Sequence, residues 1–187
     1  MTVSTTPVAR KPLHKRSITI EVFEREDGLW DLEAQLIDTK AYSFSLKRGG
    51  EHPAGEPVHN MLLCITIDST YTIIDAEAQY MAAPYITCDA IASSYKQLIG
   101  LNLLRKFRYE VRARFAGSHG CTHMTELINV LPTAAIQGIA SRINHAKSGP
   151  APTTRPFHIG GCHAMRADGE VVREYYPQWY ENPNVAS

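Results

Sequence analysis

The first half of the chain contains short segments in which hydrophobic and polar residues alternate. The alternation is rough, but short hydrophobic-rich runs of this kind are typical of β-strands, and they occur in four segments, at residues 17–25, 29–38, 61–67 and 71–80. The dipeptide Asp27-Gly28 separates the first two segments, and Asp-Gly is a preferred sequence for a tight hairpin turn. The pattern therefore predicts four antiparallel strands, of which the first two form a hairpin.

After Pro84 the hydrophobic residues recur at helical spacing. One stripe consists of Ile91, Tyr95, Leu98 and Ile99, and Gly100 can end that helix. A longer stripe begins at Thr122 and passes through Pro132, where a kink is expected; its hydrophobic members are Leu127, Ile128, Leu131, Ala135, Ile139 and Ile143. We therefore expect two principal helices.

Two further segments predict strands. Residues 107–115 alternate with period two, which predicts a fifth strand with Arg108, Arg112 and Arg114 on its solvent face. These arginines are equally consistent with an anion-binding surface. Near the C-terminus, Asp168-Gly169 predicts a last hairpin.

The fold class predicted from these elements is α+β, an antiparallel sheet of about five to seven strands with two main helices packed on one face. Residues 1–15 show no periodicity and predict a loosely ordered arm, while residues 16–183 are expected to form a single domain. Within that domain, the Pro-rich linker 147–156 leads to the C-terminal hairpin and to an aromatic tail of Tyr175, Tyr176, Trp179 and Tyr180.

Composition narrows the classes of function. The 187 residues are 44% hydrophobic and 20% charged, as in an ordinary globular protein. Nineteen basic and nineteen acidic residues cancel, so no overall field favours nucleic acid or an anionic membrane. Without a signal peptide or a long apolar run, a cytoplasmic protein that acts on a small molecule is expected, and homo-oligomerisation stays open. The four cysteines are too few and too scattered for a disulfide framework and are interpreted as reduced thiols.

Most of the candidate chemistry lies in the segment 120–126, Gly-Cys-Thr-His-Met-Thr-Glu, where a loop is predicted to enter a helix. Cys121 and His123 are suited to bind zinc, and Glu126 can be a further ligand or a general base. Backbone N–H groups at a helix start favour a thiolate, and His119 is a nearby second imidazole. The alternative is a small buried Cys with a His that caps its helix.

Two other positions can join this site. Cys88 lies at the start of the first predicted helix and could share a metal with Cys121 if both helices begin side by side, although a core thiol is the alternative. His59 lies just before a strand, in a loop position suited to a site, or it is an ordinary surface residue. No Cys-x-x-Cys spacing is present, so a metal site depends on convergence of distant segments.

Several of these segments together resemble the bacterial domain-of-unknown-function 2889 family. The similarity spans residues 27–33, 38–40, 55–61, 84–88 and 120–127, in that order. His59, Cys88, Cys121 and His123 all fall within these motifs. The family pattern places Asp after the first His, where this chain has Asn60. The resemblance implies no particular activity.

The sequence thus predicts a divalent metal, zinc by preference, bound by His59, Cys88, Cys121 and His123. Glu126, Tyr85 or His119 would move a proton, in lyase-type cleavage or hydrolysis of an aromatic or acyl substrate. Two alternatives stay open. One is a metal-free enzyme with Cys121 as nucleophile or His59 as general base, and the other is a non-catalytic protein whose metal or thiols serve stability or a partner.

Overall fold

Four long strands form the central sheet of the protein, for which a computed structural model describes residues 8–47, 49–146 and 154–183, with the backbone alone at 141 and 143–146. The strands are β1 (His14–Glu24), β2 (Trp30–Lys40), β5 (Pro57–Ile67) and β6 (Ile73–Ala82). They are antiparallel in the order β1-β2-β5-β6. Two short strands, β3 (Phe44–Ser45) and β4 (Glu51–His52), pair separately.

Helical elements follow the sheet. A 3₁₀ segment spans Asp89–Leu98, and α1 (Phe107–Phe115) is joined by a 3₁₀ turn at Gly117–His119 to the long helix α2 (Thr122–Ala146). Nearer the C-terminus, α3 (Glu170–Tyr175) precedes a 3₁₀ turn at Pro177–Trp179. Among the described helices, none combines the length and the hydropathy needed to cross a bilayer.

The sequence predicted this class of fold and the four long strands correctly. The β1–β2 hairpin turns at Asp27-Gly28, and Gly28 has a φ of 82°, in the left-handed region that such turns use. The first predicted helix, with Ile91, Tyr95 and Leu98, forms as a 3₁₀ segment at Asp89–Leu98 rather than as an α-helix. Of the expected arm, residues 1–7 lie outside the described part of the chain, and His14 and Lys15 already belong to β1.

The prediction of a fifth strand at 107–115 was wrong, because this segment is helix α1. Its buried residues are Phe107, Val111 and Phe115. A spacing of four residues fits one face of a helix and also fits a period of two, so the alternation carried no information about which element forms. The main sheet therefore has four strands, fewer than the five to seven expected.

The predicted C-terminal hairpin was also wrong, since the described residues 154–183 contain no strand. Gly169 is the N-cap of α3, and its carbonyl accepts a hydrogen bond from Arg173 N at 3.0 Å. Val172 on α3 is fully buried. The segment after Asp168-Gly169 is therefore a short helix that buries Val172.

One face of the sheet carries the hydrophobic core. On β2, alternate residues from Trp30 to Leu36 are buried, and on β5 alternate residues from Met61 to Ile67 are buried. Helix α2 contributes Met124, Leu127, Ile128, Leu131, Ala135 and Ile139 to the same core cluster. The amphipathic helix thus covers the apolar face of the sheet, as predicted.

The chain divides into two compact units, Met1–Asn144 and His145–Ser187. The first contains the sheet, α1 and nearly all of α2. In the second, Ile159 and Val172 are buried, and the His158 ring lies 5.3 Å from that of Tyr176. The aromatic tail and the described part of the predicted linker belong to this second unit, while residues 147–153 lie outside the described part of the chain.

Candidate functional site

A carboxylate lies at the end of the buried face of β2. Trp30, Leu32, Ala34 and Leu36 point into the core, and the two-residue period of a strand places Asp38 on the same face, where it is 3% exposed. Arg16 on β1 and His59 on β5 are its cross-strand partners. The sheet register alone therefore builds a row of cation, carboxylate and imidazole.

Four nitrogen atoms surround the Asp38 carboxylate. Arg16 donates from Nε to Oδ1 and from Nη2 to Oδ2, both at 2.8 Å. His14 Nε2 lies 3.0 Å from Oδ1, and His59 Nδ1 lies 3.0 Å from Oδ2. A carboxylate offers about four lone-pair sites, so both oxygens of Asp38 are fully engaged.

These contacts fix the charge of Asp38. Burial raises the pKa of its carboxyl, but the hydrogen bonds and charge of Arg16, together with hydrogen bonds from His14 and His59, outweigh burial and lower the pKa to about 2. The group is therefore an anion at neutral pH. An ionised carboxylate only accepts hydrogen bonds, so the imidazole nitrogens that face it carry protons.

Helix α2 brings a second imidazole to this row. His123 Nε2 lies 3.7 Å from Asp38 Oδ2, and the ring centroids of His59 and His123 are 3.8 Å apart at 32°. Burial and the neighbouring His123 lower the pKa of His59, against the opposing effect of Asp38. His59 is therefore mainly neutral at pH 7, the state in which imidazole binds a metal.

Asp38, His59 and His123 form a group that could hold a metal ion, because one donor atom from each lies within 4.8 Å of the other two. The three residues come from β2, β5 and α2. The sequence predicted both histidines but not Asp38. Neither Cys88 nor Cys121 belongs to this group.

Cys121 adjoins the group through His123. Its Sγ lies 3.9 Å from His123 Nδ1, and its backbone N–H donates to Tyr95 Oη at 2.8 Å. Tyr95 is fully buried and stacks on Phe115, with ring centroids 4.9 Å apart. The start of α2 is thus anchored on the core, which holds Cys121 and His123 in position.

A cavity of about 410 Å³ opens beside these side chains; we call it the histidine cavity. Its lining includes all four predicted metal ligands together with Met61 and Tyr85, namely His59, Met61, Tyr85, Cys88, Cys121 and His123. The predicted convergence of the segments around 59, 88 and 121–123 on one opening is therefore present in the structure.

The other predicted proton-transfer residues lie elsewhere. Glu126 forms an ion pair with Arg16 Nη1 and does not line the histidine cavity. His119 is exposed in the 3₁₀ turn before α2 and does not line it either. Asn60, where the family pattern has Asp, points to the opposite face of β5 and accepts a hydrogen bond from Gln35 at 2.9 Å.

Sequence reasoning missed Asp38, Arg16 and His14. The signal available in the sequence was the two-residue period of β2. Positions 30, 32, 34 and 36 are hydrophobic and buried, and the next position in this series is the charged residue Asp38. A carboxylate in a hydrophobic series needs a partner. Which partner it has follows only from the pairing of β1 with β2, and that pairing places Arg16 opposite Asp38.

Comparison of the chain with known families gives a match over residues 14–137 to the family described as "Protein of unknown function (DUF2889)". That span includes all of β1, β2, β5 and β6, and α2 as far as residue 137. Searches among curated proteins and among solved structures each found no match. Because the match covers well over half of the chain, the protein belongs to the DUF2889 family.

Proposed function

We propose that this protein is a small-molecule enzyme of the lyase or hydrolase class that binds a divalent metal through Asp38, His59 and His123. The observation that carries the proposal is the convergence of one oxygen and two nitrogen donors, from three separate elements, beside a cavity of about 410 Å³. Three protein ligands with an open position are typical of catalytic zinc. A purely structural zinc site has four protein ligands and no opening.

The protonation states favour metal binding. Asp38 is an anion and His59 is mainly neutral at pH 7. His59 Nδ1 donates a hydrogen bond to Asp38 Oδ2 at 3.0 Å, and a metal bound by both of these atoms would displace that proton. Arg16 keeps the carboxylate ionised and fixes its plane through two hydrogen bonds.

The lining of the histidine cavity indicates the kind of substrate. Met61, Ile91 and Tyr85 supply apolar surface, which suits an aromatic or acyl group. A bound divalent metal polarises a carbonyl or lowers the pKa of water. Tyr85 lines the same cavity as His59 and His123, and its hydroxyl would move a proton to or from the substrate.

The test is elemental analysis of purified protein after zinc loading and dialysis. Wild type is expected to retain about one zinc per chain, and His59→Ala and His123→Ala to lose most of it. Cys121→Ser is the matched control, because it alters the same cavity but not the donor group, and it is expected to keep its zinc. Zinc retained by both histidine variants, or lost with Cys121→Ser, would contradict the ligand set.

A second candidate is favoured by one specific observation. Cys121 Sγ lies 3.9 Å from His123 Nδ1, and His123 Nε2 lies 3.7 Å from Asp38 Oδ2. Thiol, imidazole and carboxylate in this order form the arrangement of a metal-free enzyme with Cys121 as nucleophile and His123 as its base.

Alkylation by iodoacetamide in the presence of a chelator tests this candidate. Cys121 is expected to react faster than the exposed Cys162, which serves as an internal reference. The substitution His123→Ala is expected to slow the alkylation of Cys121 but not that of Cys162. Equal rates at both thiols in wild type would eliminate the thiol mechanism.

A further inference from the structure

A second cavity, of about 560 Å³, is lined by α1 and the first turns of α2. Two basic residues of α1, Arg108 and Arg112, line it, and the facing residues of α2 include Thr122, Thr125 and Glu126. We call it the arginine cavity. Its volume lies within the range of small-molecule sites in proteins.

Arg108 and Arg112 are the two cations of this cavity. They are four residues apart on α1, so their side chains leave the same face of the helix. Neither guanidinium group has a hydrogen-bond or ion-pair partner among residues 8–47, 49–146 and 154–183, whereas the Arg114 side chain on the same helix pairs with Glu110 at 2.6 Å. Two unpaired guanidinium groups beside one opening are suited to bind carboxylate or phosphate oxygens.

The wall formed by α2 adds neutral donors. Thr122 is the first residue of the helix, whose first turn has no acidic residue, so the positive end of the helix dipole adjoins the cavity. Thr125 lines the cavity, and its buried hydroxyl has no hydrogen-bond partner in the described part of the chain. A buried hydroxyl without a partner is costly unless a ligand or water binds it.

One acidic residue, Glu126, also lines the arginine cavity, but it is already held in an ion pair. Arg16 donates to Glu126 through Nη1, while its other nitrogens hold Asp38. The guanidinium of Arg16 therefore offsets part of the charge of Glu126, the one carboxylate among the lining residues of this cavity. With Arg108 and Arg112 opposite it, the lining side chains carry a net positive charge.

We infer that the arginine cavity binds an oxyanion, the carboxylate or phosphate group of the substrate. Thr122 lines both this cavity and the histidine cavity, so one molecule can place its anionic end near Arg108 and Arg112 and its reacting bond beside His59 and His123. The assignment to the substrate rests on the proposed function, whereas anion binding itself does not. The substrate class is thereby narrowed to acidic aromatic or acyl compounds.

The experiment is a titration of the full chain at low ionic strength with inorganic phosphate and, separately, with acetate, followed by NMR signals of arginine side chains. Saturable shifts at Arg108 and Arg112 are expected, and the anion with the tighter binding identifies the chemical group. Arg108→Gln and Arg112→Gln should each weaken binding about tenfold, the usual effect of a lost charged hydrogen bond.

Arg105→Gln is the matched control. Arg105 is an exposed arginine just before α1 that does not line the arginine cavity, so its replacement removes the same net charge without touching the site. Affinity unchanged in Arg105→Gln but reduced in the other two variants supports the inference. Non-saturable shifts, or equal weakening in all three variants, would overturn it.

Measuring zinc binding and anion binding in the same variants distinguishes a failure of this inference from a failure of the metal proposal. His123→Ala should lose zinc but bind phosphate or acetate as tightly as wild type, because His123 does not line the arginine cavity. Arg108→Gln and Arg112→Gln should keep their zinc. Loss of zinc binding alone therefore contradicts the metal proposal, and loss of site-specific anion binding alone contradicts the anion site.

Discussion

The guanidinium of Arg16 binds both oxygens of Asp38, through Nε and Nη2 at 2.8 Å each. Because these residues are cross-strand partners on β1 and β2, the contact fastens the start of the edge strand to the sheet. It also orients the carboxylate toward His59 and His123. One ion pair thus serves both the fold and the candidate site.

Replacing Asp38 with Asn is expected to lower the free energy of unfolding by about 2 kcal/mol or more at pH 7, because it leaves Arg16 partly buried without its anion. Chemical denaturation measures this value. Asp75→Asn is the matched control, since Asp75 pairs with Lys96 at 2.8 Å on the surface. We expect it to change stability by less than about 1 kcal/mol.

The stabilisation from Asp38 should depend on pH in a defined window. The folded-state pKa of about 2 lies below the ordinary value of 3.8, so the unfolded chain binds the proton first as pH falls. The ionised Asp38 therefore contributes about 2 kcal/mol to the free energy of unfolding above about pH 4, and this contribution is lost as pH falls toward 2. A stability difference between wild type and Asp38→Asn that stays constant from pH 5 to pH 2 would contradict this assignment.

Gly138→Ala tests the contact between α2 and the edge strand. A Cβ at position 138 would lie 2.7 Å from Cγ1 and 2.8 Å from Cβ of Val22 on β1. The clash should outweigh the better helix propensity of Ala and destabilise the fold by about 1–3 kcal/mol. Gln137→Ala, one residue earlier at an exposed position, should change stability by less than about 0.5 kcal/mol. A Gly138→Ala protein as stable as wild type would show that the helix does not pack this closely.

Sequence patterning was sufficient where a segment fits one period much better than the other. Burial alternates along most of β2, and the hydrophobic stripe on α2 continues for several turns, so each pattern favoured the element that forms. In α1, the spacing of the buried residues Phe107, Val111 and Phe115 fits both the two-residue period of a strand and the 3.6-residue period of a helix. Only tertiary packing decides such a case, and here it favours the helix.

The sequence predicted where the candidate site lies but not which residues form its donor group. His59, expected in a loop, lies within strand β5, while Cys121 and His123 lie at the start of α2 as expected. All three are conspicuous residue types and line one cavity. Asp38 lies inside a strand and becomes chemically important only because β1 and β5 bring Arg16 and His59 beside it. Register is set by the whole sheet, so local sequence could not identify these partners.

Tyr95→Phe should loosen the start of α2. The Tyr95 hydroxyl accepts the hydrogen bond from Cys121 N at 2.8 Å, and its removal leaves that N–H without its partner. We expect a loss of about 1–2 kcal/mol in unfolding free energy and faster hydrogen exchange at the Cys121 amide. Tyr109→Phe is the control, because Tyr109 is 72% exposed. Equal effects of both substitutions would argue against an anchoring role for Tyr95.

Zinc binding should weaken as pH falls, and the pH at which it does so reports the ligands. The pKa of His59 lies below its ordinary value of 6.5, and that of Asp38 is about 2. His59 protonates only below about pH 6.5, so affinity should not depend on its protonation between pH 7 and 8, and should decrease once His59 binds a proton. A competition titration with a chromophoric chelator from pH 8 to pH 5 measures this. If Cys121 were a ligand instead, Cys121→Ser would weaken zinc binding across this whole range. If the ligands are Asp38, His59 and His123, wild type and Cys121→Ser should give the same curve.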